Sequence, residues 1–394
     1  MRLLPMVPVA SLFSSSLRQQ QQQQHRTMVH LHGPTVLSSN RGRQASKTQR
    51  SSVVQAASRL LTPIEEPPPN PDTLLTQEEL QERTEMLLQW WEGKKNVLCI
   101  TGAGLSTESG LTDYRGHNGS YHRGHKPMIH DQFMKSEYQR KRYWGRGMVG
   151  WRHFDSAKPN VGHYALASLE RLNRLGVQFE DKAEYHAQGE DSERWLFGSG
   201  QQKLSIITQN VDSLHRRAGS KHVTELHGRT DMLQCMSCGT KRGRLDFHVE
   251  LESRNEVWLK HVLKEAEMRP DGDAALSDEN YNLLDIPSCK ACGEGFLKPS
   301  VVFFGDNVPK HRVERCTAAV VAADGLLVVG SSLAVYSAYR HVRAAHQKGT
   351  PIAILNVGET RPELEGLEVT KIEAPAGPTL SLVASYFEGM KCNS

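Results

Sequence analysis

The first 64 residues contain no aspartate or glutamate, yet eight lysines and arginines fall among them. The remaining forty basic residues face 44 acidic ones, so the body of the chain is mildly negative and the overall charge of +4 comes from its leader. A body without basic excess lacks the electrostatic footprint of a nucleic-acid binder, and no nucleic-acid partner is expected. No apolar run is long enough to cross a bilayer, so membrane insertion is not indicated. Cysteine is sparse, at seven in 394 residues, and four of the seven fall in two Cys-x-x-Cys pairs. In a reducing compartment that pattern reads as metal binding rather than disulfides.

What the leader does have is arginine, serine and scattered apolar residues. Arg2, Leu3, Leu4, Val7, Val9, Leu12, Phe13, Leu17 and Arg18 can form a basic amphipathic segment, interrupted by Pro5 and Pro8. This is the composition of an organelle transit peptide, and it points to the mitochondrial matrix first and a plastid second. A disordered leader that binds nothing is the alternative, and the glutamine run at 19–24 suits it as well.

The length suits one large domain with tails. Residues 1–64 are the leader, 65–72 a Pro-rich linker, 73–386 the folded body and 387–394 a tail. Thr76-x-x-Glu79 is a capping-box pattern followed by Leu80, Leu87, Leu88 and Trp91 at helical spacing, so a helix runs to about Gly93. Short apolar runs at 96–100, 204–207, 326–329 and 352–355 read as buried strands, with a helix stopping near Gly176 and another in 335–349. Strands alternating with helices predict an α/β fold, a Rossmann-like parallel sheet covered on both faces. Its large part comprises 73–115, 153–228 and 298–386, a helical insertion occupies about 116–152, and a module with all four paired cysteines occupies about 229–297. Residues 178–202, polar and charged, read as a solvent-exposed insertion.

The polar motifs follow the carboxyl ends of these strands, where ligands bind in open α/β sheets. Gly102-Ala103-Gly104 and Ser106 suit a pyrophosphate, with glycines allowing close backbone approach. Thr107 stands where a third glycine would complete the dinucleotide fingerprint, so a tight turn without ligand fits equally. Asp113-Tyr114-Arg115 offers a phosphate partner and an aromatic cover, or a plain surface loop. Gln209-Asn210-Val211-Asp212 places an amide and a carboxylate at the cleft edge to hold a carboxamide or ribose, or simply to cap a helix. His227 is the one histidine of eighteen singled out as a general base, although a lone histidine is more often structural. Cys235-x-x-Cys238 and Cys289-x-x-Cys292 form two knuckles of one tetrahedral zinc site whose four thiolates leave no open position, so the metal stabilises the fold.

In this order GAGLSTESGLTDYR, TQNVDSLH, ELHG, the two cysteine pairs, LKPSVVFFGD, and VVGSSLAVYS followed by ILNVG resemble the sirtuin family from about residue 73 to 386. RYWGRGMVGW and Tyr114-Arg115 look most like the class II mitochondrial sirtuins of the sirtuin-four type. The resemblance implies an NAD-dependent protein-lysine deacylase that releases nicotinamide and O-acyl-ADP-ribose. Gly102, Ala103, Gly104, Ser106, Asp113, Tyr114, Arg115, Gln209, Gly330, Ser331, Ser332, Asn356 and Ala376 would contact NAD. Asn210 and Asp212 would order the nicotinamide ribose, and His227 would activate a ribose hydroxyl after the acyl oxygen has expelled nicotinamide. Val301, Phe303, Phe304 and Gly305, with Val335 in the segment 333–337, would sandwich an acylated-lysine substrate by strand addition; Phe303 and Phe304 also suit a core strand. Tyr121 and Arg123 resemble a pair that holds acidic acyl tails, but their spacing differs from Tyr-x-x-Arg. Thr112 and Asp306 depart from the family's usual Pro and Glu. ADP-ribosyl transfer onto a protein, and an NAD-sensing scaffold with weak turnover, are the alternatives.

Overall fold

The computed structural model describes residues 75–116, 119–122, 126–181, 200–263, 267–268, 274–275 and 280–392. The chain divides into Met1–Leu60 and Leu61–Ser394, and everything described belongs to the second unit. The leader, the Pro-rich linker and Arg123 lie outside the described residues.

The first helix, Gln77–Trp91, starts where the capping box places it: the Thr76 hydroxyl accepts from the Glu79 amide at 3.2 Å and the Glu79 carboxylate from the Thr76 amide at 2.7 Å. The strands follow as β1 (Val97–Thr101), β2 (Val177–Asp181), β3 (Gly200–Leu204), β4 (Ile206–Thr208), β5 (Val223–Glu225), β6 (Gly228–Cys235) and β7 (Lys241–Gly243). Two short strands, β8 (Glu267–Met268) and β9 (Ala274–Ala275), precede β10 (Leu297–Val301), β11 (Gly325–Val329), β12 (Ile352–Leu355) and β13 (Thr370–Ile372). Six of them form one sheet in the order β13-β12-β11-β1-β4-β5, every pair parallel.

Both faces of this sheet are covered, as the continuous apolar runs demand. Val97, Cys99, Leu327 and Val329 join one core with Leu87, Trp91, Leu166 and Leu380 from helices Gln77–Trp91, Val161–Arg171 and Ala376–Cys392. Leu98, Ile100, Leu326 and Val328 join the other with Val320 and Val342 from helices Lys310–Ala322 and Tyr336–Lys348. Alternate residues of one strand feed opposite layers because a strand's side chains alternate.

Three expectations change. The segment 178–202 is not simply an exposed insertion: its ends pair as the antiparallel hairpin β2–β3, with Val177, Phe179 and Leu204 buried. The alternation Val-Gln-Phe-Glu was hidden in a polar stretch. The last helix runs to Cys392, past the tail boundary expected at 386, because Phe387 is buried against Trp91, ring centroids 5.7 Å apart. The helical insertion ends at Ser156, later than 152, and shares one core with the cysteine module: Phe133, Trp144, Phe247, Leu297 and Phe303 pack together. The insertion and the module are therefore one lobe, built on the antiparallel sheet β10-β6-β7.

Gly228 hinges the two parts. Its φ is +82°, and a Cβ there would lie 1.9 Å from the Ser300 carbonyl oxygen of β10. Gly228→Ala should cost about 2 kcal/mol or more from backbone strain and steric conflict, read as a lower urea midpoint; an unchanged midpoint would show that β10 yields freely.

Candidate functional site

The loops after β1, β4, β11 and β12 gather at the carboxyl edge of the sheet, as the motif positions predict. Their closest approach is between the first and third. The Gly102 amide donates to the Val329 carbonyl at 3.0 Å and the Gly104 amide to the Gly330 carbonyl at 2.9 Å. A Cβ on Gly102 would lie 2.6 Å from the Ser331 Cβ, and one on Gly104 2.9 Å from the Gly330 oxygen. The glycines are therefore required by loop-on-loop packing, and the Gly104 amide, expected as a pyrophosphate donor, is already spent on Gly330.

The second loop threads polar groups into this junction. Gln209 Nε2 donates to Ser331 Oγ at 2.8 Å, which also accepts from the Leu333 amide at 3.1 Å. Asn210 Nδ2 donates to the Gly102 carbonyl at 3.0 Å and to Ser106 Oγ at 3.1 Å; Ser106 Oγ donates in turn to Asp212 Oδ2 at 2.7 Å. Burial raises the Asp212 carboxyl, while the Leu214 amide and the Ser106 hydroxyl pull it back down. Beneath these groups Thr101 Oγ1 bonds Thr208 Oγ1 and His215 Nε2, each at 2.8 Å, and the Thr208 hydroxyl accepts from the Asn210 amide at 3.1 Å. Burial brings His215 down to about 3, so it is a neutral strut. Sequence reasoning passed it over, although it closes the same TQNVDSLH motif.

His227 sits in the turn between β5 and β6. Its Nδ1 lies 3.1 Å from the Gln209 carbonyl oxygen and its Nε2 2.7 Å from Ser337 Oγ. A carbonyl only accepts, so Nδ1 carries the proton and Nε2 the lone pair. Burial lowers the imidazole to about 4, with the Gln209 bond raising it and Arg312 lowering it further. Ser337 was not among the expected site residues. The signal was the last letter of VVGSSLAVYS, in the first turn of the helix expected over 335–349.

Other expected residues lie at the rim. The Asp113 carboxylate accepts from the Gly116 amide at 3.0 Å, and burial raises its carboxyl. Tyr114 packs on Tyr121 at 5.4 Å, and the Arg115 guanidinium lies 5.0 Å over the Tyr121 ring. Asn356 turns its amide to the Val357 carbonyl at 2.7 Å, and the Ser332 carbonyl accepts from the Arg361 amide at 2.9 Å. Ala376, buried, opens the last helix, where the Glu108 carboxylate accepts from the Gly377 amide at 3.0 Å.

The strand expected through 301–305 stops at Val301, opposite Gly228. The Val302 amide donates to the His227 carbonyl at 2.9 Å. Phe303 belongs to the core, its ring 5.3 Å from Phe133 and 5.4 Å from Tyr143. Phe304 is 43% exposed and bridges Ile129, while Gly305 takes φ +81°. The segment 333–337 is no strand: Leu333 has φ +55°, and Val335 caps the helix from Tyr336.

The Sir2 family model matches residues 102–181 and 195–337, more than half of the chain. The chain belongs to the Sir2 family. It is 42% identical over 267 residues to "NAD-dependent protein deacetylase 2" of Bradyrhizobium diazoefficiens, covering 68% of this chain and 86% of that protein. It is 43% identical over 297 residues to "NAD-dependent protein deacetylase" of Xanthomonas campestris pv. campestris, covering 75% and 89%. Among solved structures, a Sir2 mutant holding a deacetylated peptide and 3'-O-acetyl ADP-ribose aligns with TM-score 0.55 and 26% identity, covering 77% of this chain and 98% of that one. These two deacetylase relatives are bacterial proteins, and they overturn the expectation of a mitochondrial matrix or plastid address, which rested on the composition of the leader and the likeness to mitochondrial sirtuins.

In this Sir2 family member the four paired cysteines converge, all sulfurs within 4.8 Å of one another. Cys235 Sγ is 3.7 Å from Cys292 Sγ, and Cys238 Sγ 3.7 Å from Cys289 Sγ. A tetrahedron with metal–sulfur bonds of about 2.3 Å has an edge of about 3.8 Å, so the spacing fits zinc; a disulfide would need about 2.05 Å. The Gly295 amide points at Cys292 Sγ and the Ser237 amide at Cys235 Sγ, each 3.4 Å away, which suits thiolates. The fit is that of a structural ion. Purified protein should hold one zinc per chain, and Cys289→Ala should lose it and lower the melting temperature by about 5 °C or more, with metal analysis as the check.

Proposed function

We propose that this chain is an NAD-dependent protein-lysine deacylase acting on acylated-lysine proteins, with one structural zinc. Membership of the Sir2 family supports this, as do relatives named NAD-dependent protein deacetylases and a matched structure holding the products of such a reaction. The observation that carries the reading is the tautomer of His227. Its Nδ1–H is committed to Gln209, leaving a basic Nε2 beside the loop that carries Asn210 and Asp212.

The residues divide the work as follows. Gly102, Ala103, Gly104, Ser106, Arg115, Gly330, Ser331, Ser332, Asn356 and Ala376 line the cofactor's cleft, with Asp113 and Tyr114 closing its rim. Gln209, Asn210 and Asp212 order the ribose side. Bound NAD supplies an electrophilic ribose carbon with nicotinamide as its leaving group. With NAD held there, His227 would accept a proton from one of its ribose hydroxyls. Val301, Phe304, Gly305 and Val335 border the peptide's path, and Tyr121 the acyl end. The domain limits are 73–392 for the catalytic body, with zinc module and helical insertion as one lobe.

The subfamily is the sirtuin-four type. Its mark here is RYWGRGMVGW, which lies on helix Glu137–Ser156, buries Trp144, Met148 and Trp151, and brings Gly145 against Tyr281 and Leu284. That motif sets the seating of the helical lobe.

The test is nicotinamide release from NAD with acetyl-, glutaryl-, methylglutaryl- and long-chain acyl-lysine peptides. Release should depend on one acyl class and vanish in His227→Tyr; no release with any peptide from folded, zinc-replete protein would sink the deacylase reading. The pH profile follows from the depressed imidazole. A base held at about 4 loses its neutral form only as pH falls through that value, so His227 contributes no acid limb near neutrality. Between about pH 5.5 and 8 kcat/KM should show no step assignable to this residue; a limb near the ordinary imidazole value would contradict it.

A further inference from the structure

Ser337 has no place in the scheme above, yet it holds the atom on which that scheme depends. With Nδ1–H given to the Gln209 carbonyl, the one lone pair of the His227 ring is at Nε2, and Ser337 Oγ lies 2.7 Å from it. The serine hydroxyl is therefore the donor of that bond. Ser337 stands in the first turn of helix Tyr336–Lys348, whose amide ends carry partial positive charge toward the same ring. The other groups facing the ring are Arg312, which reaches in from helix Lys310–Ala322 and donates to the Leu226 carbonyl at 3.2 Å, and the Gln209 carbonyl at the end of β4. Arg312 opposes a positive imidazole, whereas the Gln209 carbonyl fixes the tautomer and favours the charged ring. A proton bound for Nε2 along its lone pair meets Oγ first.

We propose that Ser337 relays the proton from the substrate's ribose hydroxyl to His227. The ribose O–H bond breaks and its proton binds Ser337 Oγ; the serine's own O–H bond breaks and that proton binds Nε2. Serine ends unchanged, and the ribose oxygen is left with the electron pair that attacks the acyl carbon. A hydroxyl suits this post because it donates to the neutral ring and, rotated, accepts from the charged one without moving its oxygen. The proposal rests on the deacylase reading and adds a residue to its base step alone.

Two variants and two readouts test it. Nicotinamide expulsion by the acyl oxygen transfers no proton, so Ser337→Ala should leave exchange of labelled nicotinamide into NAD at the wild-type rate. Its kcat for deacylated peptide should fall about tenfold or more, the KM for NAD should stay level, and Ser337→Thr should restore turnover. Independently of activity, nitrogen NMR of the ligand-free protein should show the His227 Nε2 resonance move toward that of a free pyridine-type nitrogen in Ser337→Ala. Wild-type turnover in Ser337→Ala, or an unmoved Nε2 resonance, overturns the relay while the deacylase reading stands. Wild-type protein that releases no nicotinamide with any acyl peptide brings down that reading and the relay with it.

Discussion

Between the ends of β1 and β11 there is space for a hydrogen atom and nothing larger. The two strands run parallel and in register, Thr101 beside Val329, so the loops that leave them collide unless each presents bare backbone. Gly102, Gly104 and Gly330 meet that demand; a Cβ on Gly330 would lie 2.3 Å from the Leu105 nitrogen, and its φ of +58° favours glycine besides. Because the loops touch, the Gly102 carbonyl lies within reach of Asn210 and Ser331 within reach of Gln209. The cleft is thus knitted by its own polar groups before a cofactor enters. Fixed dipoles of this kind need little reorganisation during reaction.

Burial then sets the protonation of what lines the cleft. His215 and His227 are both neutral because the ring's charged form is poorly solvated there, and Asp212 is held above its ordinary carboxyl value for the same reason. The outcomes differ by partner. His215 spends Nε2 on the Thr101 hydroxyl and serves as a strut, whereas His227 keeps Nε2 beside a hydroxyl that can turn.

The zinc site bears on this from a distance. β6 begins at Gly228, next to His227, and ends at Cys235, while β10 begins at Leu297, paired with Cys235, and ends at Val301, paired with Gly228. A metal would clamp the cysteine end of this ribbon; the register shifts between Pro299 and Ser300 before the far end, where the Val302 amide holds the His227 carbonyl. Four thiolates would leave the metal no open position, yet one strand pair links its site to the turn that carries His227.

Local chemistry carried the sequence a long way. The helix start at Thr76, the apolar runs of β1, β11 and β12, the cysteine pairs and the glycine loops are each decided by neighbours along the chain, so spacing alone exposes them. Where packing between distant segments decides, the sequence was silent or misleading. Nothing in Val301-Val302-Phe303-Phe304 distinguishes the ring that joins Phe133 in the core from the ring left at the surface. A polar stretch concealed the β2–β3 hairpin because its alternation is only four residues long. Ser337 reads as an ordinary helix residue until 110 positions of intervening chain fold to set it on His227. The sequence determined the strands β1, β11 and β12, the Thr76 cap and the set of four paired cysteines, because those follow from side-chain type and short spacing; the tertiary structure alone decided which hydroxyl meets His227 and which aromatic is buried, because those depend on contacts between segments far apart in the chain.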